Sequence, residues 1–295
     1  MENMKFVIEK SARIDKLIDD LFQKMPEIES ARGKLITESY KATESLPIIR
    51  RRSAAFAHIL KNLPIVIRDR ELIVGSATVS PRGCQVFPEY SYEWLEAEFD
   101  TLGTRAADPF YISEQTKEDL RQAYPYWKGK TCSDLAKSNM DENAYSAFAV
   151  HNIFTPGNYF YNGIGHVNVD YGKVLRIGYL GIIEEAKTAL EKLDISDGDY
   201  VKRSNFLYAV IESCASVILY AKRYANLAKE MAEKETCAVR KAELETIARN
   251  CERVPAHPAE SFYEACQAFW FIQLLLQVES NGHSISPGQI GRAHV

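Results

Sequence analysis

The strongest constraint on the fold is a stripe of apolar residues within positions 200–252. These side chains recur every three or four residues, which is the spacing of one face of an α-helix. They are Phe206, Val210, Ile211, Cys214, Val217, Ile218, Ala221, Tyr224, Ala225 and Ala228. A stripe of this length predicts a long helix packed against other helices, and the same pattern predicts a second helix over about Ala238–Cys251.

The remaining sequence is also mostly helical in pattern. Three helices with short connections are predicted in the first 65 residues, and a mostly apolar, buried helix is predicted from Ala259 to Val278. Residues 65–75 are rich in β-branched side chains and end at Gly75, which predicts a short strand. The predicted fold class is therefore mainly α with a few short strands.

Composition excludes several classes of function. The 295-residue chain has a net charge of −4, so it has no general electrostatic attraction for nucleic acid or an anionic membrane. We find no signal peptide, and the longest apolar run, Ala268–Leu276, is too short to cross a bilayer. None of the six cysteines forms a Cys-x-x-Cys pair. We therefore expect a cytoplasmic protein whose cysteines are reduced and buried, with no nucleic-acid or membrane partner.

Two loop-like stretches carry polar side chains beside apolar helices. Residues 151–171 contain three glycines, four asparagines and two histidines, and residues 281–284 read Asn-Gly-His-Ser. Neutral hydrogen-bonding groups of this kind suit a ligand with several hydroxyls. A single histidine in a loop is more often structural, so residue types alone leave the function open. Motifs for dinucleotide binding, phosphate binding, zinc proteases and serine hydrolases are absent from the sequence.

Five segments resemble the N-terminal half of glycyl radical enzymes, and they occur in the expected order. They are RDRELIVGS (68–76), VFPEYSYEWL (86–95), YNGIGHVNVDYGKVLRIG (161–178), SFYEACQAFWF (261–271) and ESNGHSISP (279–287). The resemblance covers about residues 8–287 and is greatest for the cobalamin-independent glycerol and propane-1,2-diol dehydratases. It implies the N-terminal portion of a β/α barrel with its helical wrapping.

The resemblance also implies a chemistry. In this family, a radical S-adenosylmethionine enzyme generates a glycyl radical, which forms a thiyl radical on a cysteine, without metal or cobalamin. In the dehydratase branch, the residues matching Asn158, His166, His283 and Ser284 bind the hydroxyls of a small polyol. The family further implies a homodimer when the chain is full length, and it leaves open an association with a bacterial microcompartment.

The chain departs from the family pattern near its end. No cysteine here has a glutamate two residues later, so the thiyl cysteine and the radical glycine are expected beyond this sequence. We assign residues 1–287 to an incomplete pyruvate formate-lyase-type domain and residues 288–295 to a tail at a truncation. As such, the 295-residue product is expected to be inactive alone.

Other functions remain open at this point. Within the family, the alternatives are choline or sulfonate lyase, hydroxyproline dehydratase and pyruvate formate-lyase. His166 argues against the choline branch, which carries an acidic residue there, and neither polar stretch contains the arginines that pyruvate formate-lyase would need. Outside the family, a truncated product of this kind would be a helical scaffold without catalysis.

Overall fold

The computed structural model of this protein describes residues 11–154, 161–163, 165 and 167–280. Over these ranges the chain folds into α-helices joined by short irregular segments, with one pair of short strands. The elements are α1 (Ala12–Phe22), β1 (Glu27–Glu29), α2 (Ala31–Ala42), α3 (Ile48–Asn62), β2 (Gly83–Gln85), α4 (Glu93–Ala97), α5 (Glu114–Trp127), α6 (Cys132–Ser138), α7 (Glu142–Tyr145), α8 (Tyr171–Glu191), α9 (Tyr200–Lys234), α10 (Ala238–Arg253) and α11 (Phe262–Ser280). The mainly α fold class is thus confirmed.

Helix α9 is the centre of the fold. It packs against α3, α8 and α10, and its buried residues follow the apolar stripe of the sequence. Tyr220 and Tyr224 are fully buried and contact Phe271 of α11. By length and composition alone α9 could cross a membrane, but core helices share those properties. The stripe residues from Cys214 to Ala228 pack inside the molecule, so we assign this part of α9 to the protein core, whereas Phe206 is exposed.

The strand predicted at residues 65–75 is wrong. This segment is irregular, although Ile67 and Val74 are buried as a strand would bury them. Its backbone groups are bound by side chains instead: the Gln267 amide accepts from the Val74 N–H at 2.9 Å and donates to the Val74 carbonyl at 2.7 Å. The Gln267 side chain therefore replaces the partner strand, and every buried backbone group must find some such partner.

The strands form elsewhere, as one parallel pair. Glu27 of β1 lies opposite Gly83 of β2, and Glu29 lies opposite Gln85. The Glu29 carboxylate accepts from the backbone N–H groups of Val79 at 3.0 Å and Ser80 at 2.7 Å. These contacts hold the loop before β2 against the start of α2.

The cysteines only partly follow expectation. Cys214 and Cys251 are buried, as an apolar reading of cysteine predicts, and Cys266 is partly buried. Cys84, Cys132 and Cys237 are exposed, so the expectation of burial is wrong for them. Their positions at a strand and at helix starts explain the difference, since a small side chain there need not face the core.

Candidate functional site

The four residues predicted to bind substrate are Asn158, His166, His283 and Ser284, and all lie outside the described residues. The structure describes the residues that flank them. Tyr161, Asn162, Gly163, Gly165 and Val167 belong to the first polar stretch, and Ser280 immediately precedes the second. These flanking residues show whether the two stretches meet.

The two stretches meet at Gly163. A Cβ atom added to Gly163 would lie 1.8 Å from the Ser280 carbonyl oxygen and 2.9 Å from the Tyr90 hydroxyl. Only glycine permits such a close backbone approach. Gly163 lies three positions before His166, and Ser280 lies three positions before His283. The two stretches therefore touch, although 117 positions (283 − 166) separate the two histidines.

The middle of the first stretch is bound by the segment after β2. The Ser91 hydroxyl donates to the Tyr161 carbonyl at 3.2 Å and accepts from the Trp94 indole N–H at 3.1 Å. Gly165 is buried. Loops that are packed and hydrogen-bonded in this way are typical of functional sites held by a rigid scaffold.

On its C-terminal side, the first stretch runs into α8, which contacts α11. The Asp170 carboxylate caps α8 by accepting from the Lys173 N–H at 2.9 Å. The Tyr171 hydroxyl donates to the Gln273 side-chain oxygen at 2.7 Å, and its ring centre lies 4.8 Å from that of Phe269. The beginning of α8 is therefore attached to the helix that leads into the second stretch.

Helix α8 is broken at Gly178. This residue has φ of 65° and ψ of 172°, a conformation that is essentially restricted to glycine. The N–H groups after the break leave the helix and donate to the Pro255 and Ala256 carbonyls, at 2.9 Å from Tyr179 and 3.0 Å from Leu180. The break joins α8 to the segment that precedes α11, which is a second link between the two polar stretches.

Four charged side chains, buried or partly buried, lie in or against the last described turn of α11. Arg32 lies inside the protein with no exposed side-chain surface, and it forms a two-point ion pair with Glu89, with nitrogen–oxygen distances of 2.6 and 3.2 Å. Arg52 contacts Glu89 at 3.3 Å and also pairs with Glu279. We call Arg32, Arg52, Glu89 and Glu279 the charge cluster.

The pKa values in the charge cluster reflect mutual stabilisation. Burial alone would lower the pKa of Arg52, but the negative charges of Glu89 and Glu279 outweigh it and raise that pKa. Burial alone would raise the pKa of Glu89, and the two arginines reverse this and lower it. Burial raises the pKa of Tyr90, whose hydroxyl accepts from Arg52 at 3.1 Å, to about 12. These shifts favour the charged forms of Arg52 and Glu89. With two arginines and two glutamates, the formal charges of the cluster sum to zero.

Sequence reasoning found only part of the charge cluster. The run Arg50–Arg52 is typical of a solvated or salt-bridged helix face, and Arg52 indeed forms ion pairs. Arg32 was missed, although it lies four residues before the buried Ile36 in α2 and so on the same face of that helix. Glu89 lies within the motif VFPEYSYEWL, and the sequence alone does not indicate that it forms ion pairs. A charged residue at an apolar helix position is the signal that could have identified the cluster.

An apolar cavity of about 440 Å³ lies between α3, α9 and α11 and reaches the charge cluster. Its walls include Ile49, Phe56, Phe206, Val210, Leu275 and Leu276, while Arg52 and Glu279 lie at its edge. Across the part of the chain that the structure describes, no group of three histidine, cysteine or acidic residues could hold a metal ion.

A family description, "Pyruvate formate lyase-like", matches residues 4–293. Among characterised proteins, the chain is 35% identical over 282 residues to (2S)-3-sulfopropanediol dehydratase of Klebsiella oxytoca, covering 94% of this chain and 34% of that protein. It is 36% identical over 292 residues to isethionate sulfite-lyase of Oleidesulfovibrio alaskensis, covering 94% of this chain and 35% of that protein. The chain thus spans about a third of the length of these relatives.

Two solved structures are similar in both sequence and fold. One, which concerns 1,2-propanediol dehydration in Roseburia inulinivorans, is 60% identical with a TM-score of 0.92, covering 96% of this chain and 34% of that one. The other is the glycerol-bound form of the B12-independent glycerol dehydratase from Clostridium butyricum. It is 52% identical with a TM-score of 0.92, covering 96% of this chain and 36% of that one.

Proposed function

The chain belongs to the pyruvate formate-lyase-like family of glycyl radical enzymes, and we propose that it is the N-terminal part of a dehydratase. In this proposal, the complete protein converts glycerol or propane-1,2-diol into an aldehyde and water. Asn158, His166, His283 and Ser284 bind the substrate hydroxyls. The similarity to the structures that concern propanediol and glycerol dehydration supports this substrate class.

The observation that carries the proposal is the contact between Gly163 and Ser280. It brings together two stretches that are distant in sequence and rich in neutral hydrogen-bonding groups. A diol needs several such groups to hold both hydroxyls at once, and one stretch alone offers few. The contact therefore supports a shared pocket to which both stretches contribute.

The balanced charge cluster favours a neutral substrate over an anionic one. A sulfonate or carboxylate substrate requires an uncompensated cation, and bidentate arginine is the usual solution. Arg32 and Arg52 lie beside the junction of the two stretches, but both are already paired with carboxylates. Neither arginine of the charge cluster is therefore free to bind a sulfonate. This argues for a diol as substrate rather than sulfopropanediol or isethionate.

In enzymes of this family, a radical on a glycine is transferred to a cysteine, and the cysteine radical abstracts hydrogen from the substrate. Both residues are expected beyond this sequence. The residues of this chain would hold the C1 hydroxyl so that the C1 hydrogen faces that cysteine. His166 or His283 would transfer a proton to the C2 hydroxyl as the carbon–oxygen bond breaks, so that it leaves as water, while the C1 hydroxyl gives up its proton to a base and becomes the carbonyl. Holding the diol in one orientation is a proximity effect, and it is sensitive to small displacements.

The same proposal names the partners of the complete protein. A radical S-adenosylmethionine enzyme would install the glycyl radical, and no cobalamin would be required. We further propose a homodimer in the cytoplasm. Whether it lies inside a microcompartment is a separate question that fractionation of the source cells can answer.

The test begins with the DNA downstream of codon 287. A continuing reading frame with a Cys-x-Glu loop and a glycyl loop is expected, and its product should show a glycyl radical by electron paramagnetic resonance after activation. We expect aldehyde formation from glycerol or propane-1,2-diol. Turnover of isethionate, sulfopropanediol, hydroxyproline or choline instead would overturn the substrate assignment. A complete frame without a radical glycine would favour the non-catalytic scaffold.

A further inference from the structure

The last carbonyl groups of α11 are bound by two arginines. Arg32 donates from Nε to the Val278 carbonyl at 2.6 Å and from Nη2 to the Glu279 carbonyl at 3.0 Å. Arg52 also donates to the Glu279 carbonyl from its Nη2 atom. Two guanidinium groups from other helices, α2 and α3, thus bind backbone carbonyls in the last described turn of α11.

The two arginines are themselves held in place. Glu89 accepts from both of them, and the Arg32 guanidinium lies 3.6 Å from the ring centre of Phe87. The backbone of Glu89 is fixed in turn, because its carbonyl accepts from the Cys132 N–H at 3.0 Å at the start of α6. The last described turn of α11, around Val278 and Glu279, is therefore held by side chains from other segments as well as by its own helical hydrogen bonds.

The same network reaches the other polar stretch. Arg52 donates to the Tyr90 hydroxyl at 3.1 Å, and that hydroxyl lies 2.9 Å from the position that a Cβ of Gly163 would take. Arg52 is thus one hydrogen bond from the first stretch and directly bound to the last residues before the second. Together with the Tyr171–Gln273 hydrogen bond, it connects the first stretch to α11.

Stability alone gives a weak reason for this arrangement. Taking the charges of Arg32 and Glu89 out of water is expensive, and well-packed apolar side chains often serve stability as well or better. A guanidinium, however, fixes geometry through several directed hydrogen bonds at once. The charge cluster is therefore better explained as a device that defines positions than as one that adds stability.

We propose that Arg52, held by Glu89 and assisted by Arg32, is a positioning residue for substrate binding. It holds Glu279, in the last described turn of α11, next to Tyr90 and Gly163, and through these contacts it would position the two stretches that carry His166, His283 and Ser284. This inference rests on the proposed function, since it assumes that both stretches bind one substrate.

The variant Arg52→Ala in the complete enzyme tests the proposal. It should fold, because Glu89 retains Arg32 and the Glu279 side chain is already 34% exposed. We expect kcat to fall by about 10²-fold, as reported for displacements of roughly 1 Å, with a smaller change in KM. Added guanidinium at millimolar concentration should restore part of the kcat of Arg52→Ala by occupying the space left by the arginine side chain. Arg52→Lys should retain more activity than Arg52→Ala.

Arg223→Ala is the matched control. Arg223 also binds helix-terminal carbonyls, those of Leu60 at 2.6 Å and Leu63 at 2.7 Å, but at the end of α3. The variant Arg223→Ala should lower the melting temperature of the enzyme but leave kcat unchanged. Added guanidinium should therefore not alter its turnover. Equal losses of kcat in both variants, or an unchanged kcat in Arg52→Ala, would overturn the positioning role.

A second measurement separates this inference from the proposed function. Hydrogen exchange of the peptide 281–288 in the unactivated protein needs no turnover. We expect faster exchange of that peptide in Arg52→Ala than in the unmutated protein, and no change in Arg223→Ala. If the unmutated enzyme turns over none of the diols, the proposed function fails, while the exchange result still shows whether Arg52 fixes the end of α11. Unchanged exchange in Arg52→Ala contradicts the inference whatever the substrate.

Discussion

Gly163 is the residue at which the two polar stretches touch, and its missing side chain is the reason they can. Replacing it with alanine would place a Cβ 1.8 Å from the Ser280 carbonyl oxygen, so the backbones must separate. Overpacking of this kind usually costs ~1–3 kcal/mol, and a backbone neighbour cannot rotate away. We predict that Gly163→Ala lowers the free energy of unfolding by roughly that amount and strongly reduces diol turnover.

Gly198→Ala is the control for that prediction, since a Cβ there would meet no atom within 4 Å. Chemical denaturation and turnover of the complete enzyme measure both effects. An alanine at position 163 that changes neither quantity more than the control does would contradict the close approach.

His166 is the residue whose replacement should affect the chemistry most. If it binds or protonates a substrate hydroxyl, His166→Ala should lower kcat by roughly 10²–10⁴, the usual range for a lost acid–base group. His58→Ala is the matched control, because His58 lies on α3 and contacts Glu38 at 3.1 Å and Asn62 at 3.2 Å near the surface. Turnover rates of the activated variants decide the matter, and similar losses at both histidines would argue against a specific role.

At the scale of single elements, the sequence predicted helices well and their connections poorly. The apolar stripe in α9 predicts the long helix because a helix repeats its facing positions over many turns. The segment around Val74 was predicted as a strand because β-branched residues fit a strand locally. Its actual partner, Gln267, is 193 positions away, and no local pattern contains that information.

The break in α8 is a second feature that local pattern missed. The sequence predicts one continuous helix from about Gly172, and Gly178 within it is tolerated by a helix at modest cost. The break arises because the Pro255 and Ala256 carbonyls bind the N–H groups after Gly178. Tertiary partners, not helix propensity, thus determine the conformation at this position.

Gly178→Ala should therefore be strongly destabilising. The conformation at φ 65° and ψ 172° is unfavourable for alanine, and the new Cβ would lie 2.2 Å from the Ala256 carbonyl oxygen. Strain and overpacking together predict a loss of roughly 3 kcal/mol or more in the free energy of unfolding. Gly172→Ala, whose Cβ would meet only an ordinary contact at 3.6 Å, should be nearly neutral. Urea denaturation of both variants tests this, and equal stabilities would contradict the described break.

At the scale of the molecule, the family could be predicted from the sequence because its motifs are separate, specific and in order. The meeting of the two polar stretches was also predicted, and the structure brings their described flanks together at Gly163 and Ser280. The four side chains themselves lie outside the described residues, so their convergence stays a prediction. The sequence offers a signal for Arg32 alone, because the cluster assembles from four segments and its ion pairs join residues that are distant in sequence.

The apolar cavity leads to a prediction about the 295-residue chain as a whole. Ile49 and Phe206 line this cavity and are 40% and 56% exposed, so the chain by itself presents apolar surface around an open cleft. Surfaces of this kind promote association. We expect the 295-residue polypeptide to be inactive alone and to self-associate with increasing concentration in sedimentation velocity experiments.

The variant Phe206→Ser should weaken that association by about tenfold or more, since burying a phenylalanine contributes ~1.5–3 kcal/mol and 1.4 kcal/mol corresponds to tenfold. Phe262→Ser is the matched control, because Phe262 is 87% exposed at the start of α11 and does not line the cavity. If Phe262→Ser weakens association as much as Phe206→Ser does, general hydrophobicity rather than the cleft is responsible. A polypeptide that stays monomeric at all concentrations would show that the exposed cleft does not drive association.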